Sequence, residues 1–216
     1  MKTIISLALL ASMSPTIAED YLADVKIPEF NGCKLEQHST CIGADLKGAD
    51  LSNLDLRSIN LSSADLTGAN LSHTNLRAAN LNKATLDKVV AYRTNLYRAD
   101  LRGAKVRNAE LQGTTGQYVF AQGANFNGSN LTGANFDFSR FSGATLKNTN
   151  LSYTSFEIAW LPKANLEGAI LIGSNLQEAK FGGANLSEAD LRETRIHYAT
   201  FVGTYMEDCN GCPFDW

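Results

Sequence analysis

The sequence predicts an all-β solenoid, a chain that coils around one straight axis and stacks turn upon turn. Three observations predict it. From Leu46 to Met206 every fifth residue is large and apolar, except Ala91, Gly116 and Ala121, without insertion or deletion. The residue two places before each is nearly always small, as at Ala44, Ala49, Ala64, Ala69, Ala124 and Ala184. The residue between is often Asp or Asn, so the unit reads Ala-(Asp/Asn)-Leu-x-x, as in Ala64-Asp65-Leu66-Thr67-Gly68.

A period of five fits neither an α-helix at 3.6 nor a flat strand at 2. A helix would spread these leucines around its whole circumference. The pattern asks instead for a chain that turns after every five residues and sends one small and one large apolar side chain inward each time. Backbone groups are then satisfied by the coils above and below, about 4.8 Å away as in any sheet. On this motif the chain resembles the pentapeptide-repeat family over residues 44–208. The resemblance implies a right-handed quadrilateral β-helix with four units and 20 residues per coil. About eight coils give a rod roughly 40 Å long, with short caps at its two ends.

In chain order, residues 1–18 read as an export leader. Lys2 supplies the positive start, Ile4 to Ala11 an apolar run broken only by Ser6, and Thr16-Ile17-Ala18 a small-residue cleavage site. The run is too short to anchor a chain in a bilayer, and no later segment reads as a membrane span. Export is therefore expected, to a periplasm, to the lumen of a photosynthetic membrane, where members of the family also occur, or to the outside of the cell. Residues 19–43 depart from the repeat. Their Tyr21, Val25, Ile27 and Phe30 are expected to cover the apolar end of the first coil.

Within the array the layers can be checked for volume. Most hold four leucines or nearly so. The layer of Val106, Leu111, Gly116 and Ala121 is under-filled, and the next, Phe126, Leu131, Phe136 and Phe141, is over-filled. Dense packing predicts that the phenylalanines lean into the deficient layer. A bulge at 114–122, turning Phe120 inward, is expected there, with a smaller one at Ala91 beside Val90 and Tyr92. Glycines such as Gly68, Gly103, Gly133 and Gly168 fall at the turn.

Residues 209–216 form the C-terminal cap, with Phe214 and Trp216 expected over the last coil. Four cysteines fall in two local pairs. An exported chain favours disulfides. The rod holds the pairs about 40 Å apart, whereas bridged Cα atoms lie within about 7 Å. The expected bridges are Cys33–Cys41 and Cys209–Cys212, and one four-cysteine metal site is excluded. The rival reading is a redox-active pair at Cys209 and Cys212. It lacks the helix N-terminus that usually lowers a thiol pKa in such motifs.

No catalytic constellation appears, and neither metal nor cofactor is expected. His38, His73 and His197 are scattered, and no glycine-rich phosphate loop follows a strand. The formal charge of −3 becomes −4 once Lys2 leaves with the leader. Between 77 and 107 the bases Arg77, Lys83, Lys88, Arg93, Arg98, Arg102, Lys105 and Arg107 face only Asp87 and Asp100, while the C-terminal part is acidic. Such a belt could attract an anion, but mixed charge is also what a solvated surface carries.

Residues 20 apart should stack on one side. Tyr118, Phe138, Ile158 and Tyr198 then share one column, interrupted by Glu178. Phe120, Arg140, Trp160 and Lys180 share the adjacent one. A contiguous apolar stripe with aromatic residues and arginine suits a protein contact. A second, weaker group is Tyr153, Ile170 and Ile172. The chain is thus expected to be a non-enzymatic scaffold that binds a protein, or itself, with no nucleic acid as partner. The resemblance also offers DNA mimicry, since some members of the family bind topoisomerases in that way. The weak net charge, the basic belt and the leader all speak against it.

Overall fold

The computed structural model describes residues 28–213. The leader over 1–18, the cap residues Tyr21, Val25 and Ile27, and the terminal Phe214 and Trp216 lie outside the described residues. The fold is a right-handed quadrilateral β-helix of about eight coils. Parallel bridges join residues 20 apart at every fifth position, from Thr40↔Asn60 to Asp190↔Asn210, with none missing.

Each five-residue unit accounts for its own backbone donors. The large residue donates to the next coil, as Leu146 N to Asn165 O (2.6 Å). The second turn residue does the same, as Asn148 N to Glu167 O (3.0 Å). The small residue closes the turn on the large one, as Ala169 N to Leu166 O (2.9 Å). The residue after it donates to the previous coil, as Asn165 N to Ala144 O (2.9 Å). One N–H remains, that of the first turn residue. The recurring Asp or Asn accepts it, as Asn150 Oδ1 from Ser152 N (3.0 Å) and Asn165 Oδ1 from Glu167 N (3.0 Å). The motif's polar letter is therefore a backbone cap, two residues ahead of the group it satisfies.

Where the unit lacks Asp or Asn, a side chain of the previous coil can substitute. Asp87, Asn127 and Asp137 accept from Arg107 N, Lys147 N and Glu157 N at 2.9–3.0 Å. After Trp160 the donor is removed altogether, because Pro162 has none.

The second turn residue has φ near +60° throughout, the mark of a type II turn. Glycine is unstrained there, and Gly168 has a second reason. A Cβ on it would overlap Asn148 Oδ1 of the preceding coil.

The core is a column of stacked leucines and alanines, with phenylalanines concentrated at 126–156. Phe136 packs edge-on to Phe141 (5.4 Å, 89°) and nearly parallel to Phe156 (5.8 Å, 19°). Phe136 does lean into the under-filled layer, because a Cβ on Gly116 would overlap its ring edge. The bulge expected at 114–122 is absent. Thr115 and Phe120 keep their bridges to both neighbouring coils, and Phe120 points outward. Val119 in the small position and the tilted Phe136 make up the missing volume, so the backbone has nothing to relieve. Ala91 is equally regular, flanked by buried Val89 and outward Tyr92. Inward hydroxyls are also accommodated: Thr74, Thr94 and Thr154 donate to Leu51, Leu71 and Leu131 carbonyls at 2.6–2.8 Å.

Before the first coil, β1 (Glu29–Phe30) pairs antiparallel with β2 (Cys33–Lys34). Asn31 and Gly32 both have positive φ (48° and 78°), as a tight hairpin requires. Asn31 Nδ2 donates to Asp45 O (2.8 Å), Phe30 packs on the core, and a disulfide joins Cys33 to Cys41. At the far end Cys209 is bridged to Cys212.

Candidate interaction surface

Every unit sends three side chains outward: the two turn residues at a corner and the bridging residue on a face. One corner carries Arg98, Tyr118, Phe138, Ile158, Glu178 and Tyr198 in its second turn column, 20 residues apart. The adjoining face carries Asp100, Phe120, Arg140, Trp160 and Lys180. Tyr118 and Phe138 stack at 4.9 Å with an interplanar angle of 7°. Arg140 lies over the Phe120 ring at 5.6 Å. Trp160 is 53% exposed, and Phe138, Arg140, Ile158 and Trp160 line a shallow hollow of about 470 Å³ with Gln122 and Ser142. Tyr198 is separate. It stands two coils beyond Ile158, past Glu178, beside another hollow lined by Lys180, Ile196 and His197. Of the second group, Tyr153 lies over Gly173 and Ile170 points outward, while Ile172 is half-buried.

The backbone at this corner is strained. Tyr118, Phe138 and Ile158 sit at φ of 60°, 60° and 57°, a region that costs an L-residue about 1–2 kcal/mol and is worst for a β-branched one. The corner on the other side of the face is mostly glycine at the same position (Gly103, Gly123, Gly143, Gly183 and Gly203). The aromatic corner has none. Non-glycine residues adopt the same conformation at all four corners, so what sets this one apart is its run of large apolar side chains.

The stripe extends further than stacking by 20 reveals. Tyr97, in the first turn column of the same corner, meets Tyr118 edge-on at 5.6 Å. Arg77 and Arg98 lie over its ring at 4.7 and 5.3 Å. Reading corners as pairs of adjacent columns, rather than single columns, would have found Tyr97 from the sequence. Gln122 adds a buried Oε1 with no hydrogen-bond partner at the edge of the hollow.

The charges here are unevenly used. At Asp100 burial pulls the carboxyl up, but hydrogen bonds and charge from Arg102 outweigh it and hold the group below its ordinary value. That pair neutralises itself. Arg77, Arg98 and Arg140 lie over rings instead. The basic belt does not gather on this face, since Lys83, Lys88, Arg93 and Arg98 stand at four different corners. The bridged Cys209 and Cys212 are 8% and 6% exposed, which shields the sulfurs from exchange.

The sequence profile described as pentapeptide repeats matches from residue 29 to residue 210. The chain belongs to the pentapeptide-repeat family. Members of this family are generally non-enzymatic scaffolds and often mediate protein interactions. Among solved structures it is similar to HetL, a pentapeptide-repeat protein involved in heterocyst differentiation regulation from the cyanobacterium Nostoc sp. strain PCC 7120. The two share 28% identity over 92% of this chain and 94% of HetL, with a TM-score of 0.59. It also resembles QnrB1, a plasmid-mediated fluoroquinolone resistance protein, at 20% identity over 76% of this chain and 89% of that one (TM-score 0.52). That second likeness is one of fold alone. No curated protein matches the chain.

Proposed function

We propose that this pentapeptide-repeat protein is an exported, non-enzymatic scaffold that engages a protein through the corner and face running from Tyr97 to Trp160. One observation carries the reading: bulky side chains occupy consecutive left-handed turn positions on one corner and stack outward with arginines across the neighbouring face. The coil's backbone groups are taken up by its neighbours, so a partner cannot add a strand along this face and must be recognised through side chains. Aromatic and arginine side chains are the usual anchors of such contacts.

Substituting Trp160→Asp places a charge on the apolar stripe without touching the core. Capture of the partner from the exported fraction is expected to fall at least about tenfold. Lys88→Glu, at the corner diagonally opposite, is expected to leave it unchanged. Equal capture by wild type and Trp160→Asp would reject the surface. Export rests on the leader over 1–18 and agrees with two disulfides, which persist in oxidising compartments. N-terminal sequencing of the secreted or periplasmic protein should begin near Glu19.

A further inference from the structure

The stripe is self-complementary, and we infer that its partner is a second copy of this chain, packed antiparallel about a two-fold axis at the height of Phe138 and Arg140. This rests on the contact reading above. The argument is one of register. When two faces meet across a two-fold axis lying in the contact plane and perpendicular to the rods, each column faces itself with its order reversed. Residues equally far above and below the axis are then paired.

At the corner, Phe138 meets its own counterpart, Tyr118 meets Ile158 of the other copy, and Arg98 meets Glu178. On the face, Phe120 meets Trp160, and Asp100 meets Lys180. In these two columns each apolar group finds an apolar partner, and both charged pairs are of opposite sign; in the corner's first turn column Tyr97 meets Gln177. No ion pair within the described residues joins Arg98, Glu178 or Lys180 to another side chain. Arg98 and Glu178 are four coils apart and cannot reach one another within one rod. Asp100 is already held by Arg102, so the Arg98–Glu178 pair is the stronger determinant.

Two residues oppose the register. In the first turn column of the corner, Asp137 faces its own counterpart at the axis. On the face, Arg140 does the same. Its guanidinium, however, is drawn over the Phe120 ring, one coil toward the N-terminus. Reversal points the two cations in opposite directions along the rods, away from one another.

From Arg98 to Glu178 the patch is about 20 Å long. One face and one corner of that length fall short of the roughly 800 Å² per partner of a stable complex, so the dimer is weak and reversible.

The register makes a prediction that a generally adhesive patch does not. In sedimentation velocity over a concentration series, wild-type protein should dimerise. Arg98→Glu and Glu178→Arg should each weaken the dimer at least about tenfold, because each places two like-charge pairs in it. An equimolar mixture of the two variants should associate again, within about threefold of wild type, since one carries Glu at both positions and the other Arg. Circular dichroism melts of each variant establish that the rod is intact.

A wild type that stays monomeric at all concentrations overturns the dimer. So does a mixture no tighter than its components, or single variants that dimerise like wild type. The broader reading is tested separately by Trp160→Asp. If self-association is absent but this substitution still removes capture of another protein, only the dimer falls. If it changes neither, the stripe falls as well.

Discussion

Gly116 decides how the core changes from leucine to phenylalanine. It occupies a position that elsewhere holds a large side chain, and the ring of Phe136 from the next coil fills the space it leaves. The backbone stays regular because the correction is made by side chains. Gly116→Ala should therefore destabilise the rod by about 1–3 kcal/mol through overpacking. Phe136→Leu alone should also destabilise, through lost contact and a void. In the double variant the alanine methyl occupies space that the ring has vacated, so the two penalties should not add. Urea unfolding of the four proteins measures this. Strict additivity would mean that the ring and the glycine are not coupled. The recurring Asn and Asp act at the same scale: each is needed for one N–H, and the residue that supplies it is fixed by distance along the chain.

At the scale of the coil, Asp87 shows how neighbouring turns are tied together. Its carboxylate accepts from the backbone and side chain of Arg107, one coil on. Burial raises the carboxyl pKa, but the Arg107 hydrogen bonds and charge outweigh this and hold it below its ordinary value. Asp100 is held low in the same sense. A carboxyl with a depressed folded pKa contributes stability that is fully present above its unfolded value near 4 and is lost as pH falls through the folded value. The melting temperature should thus be flat from neutral to about pH 5 and drop below about pH 4. Asp87→Asn keeps an acceptor for Arg107 N and should soften that acid drop. Asp87→Ala removes the acceptor of a solvent-exposed donor and should cost about 0.5–1.5 kcal/mol at neutral pH. The coil itself was legible in the sequence, because inward leucine and alanine recur at one strict spacing. The two cysteine pairs were equally legible, since each is local. The bulge was not foreseeable as absent, because a layer's volume can be made up by tilting one ring, and spacing carries no information on tilt. The stripe was legible as columns, from Tyr118 to Ile158 and from Phe120 to Trp160. Tyr97 and its arginines were not, because they join across a corner rather than along a column.

At the scale of the whole rod, each coil touches only the coils beside it, so stability is close to a sum of local terms and the ends are its weak points. The N-terminal end is closed by a hairpin, a hydrogen bond from Asn31 to Asp45 O and the Cys33–Cys41 bridge. A bridge closing so short a loop contributes about 2–3 kcal/mol in the chain-entropy account. Removing it with paired Cys33→Ala and Cys41→Ala substitutions should release the hairpin and let the first coil fray. Amide exchange at Leu46, Leu51 and Leu56, whose N–H groups bond to the second coil, should then accelerate by about thirtyfold or more. Amides of the phenylalanine-rich middle, such as Leu146 and Leu151, should exchange as before, because several intact coils separate them from the lost cap. A uniform acceleration from end to end would mean that the rod opens only as one unit, and that neighbour-by-neighbour stacking is not what limits it.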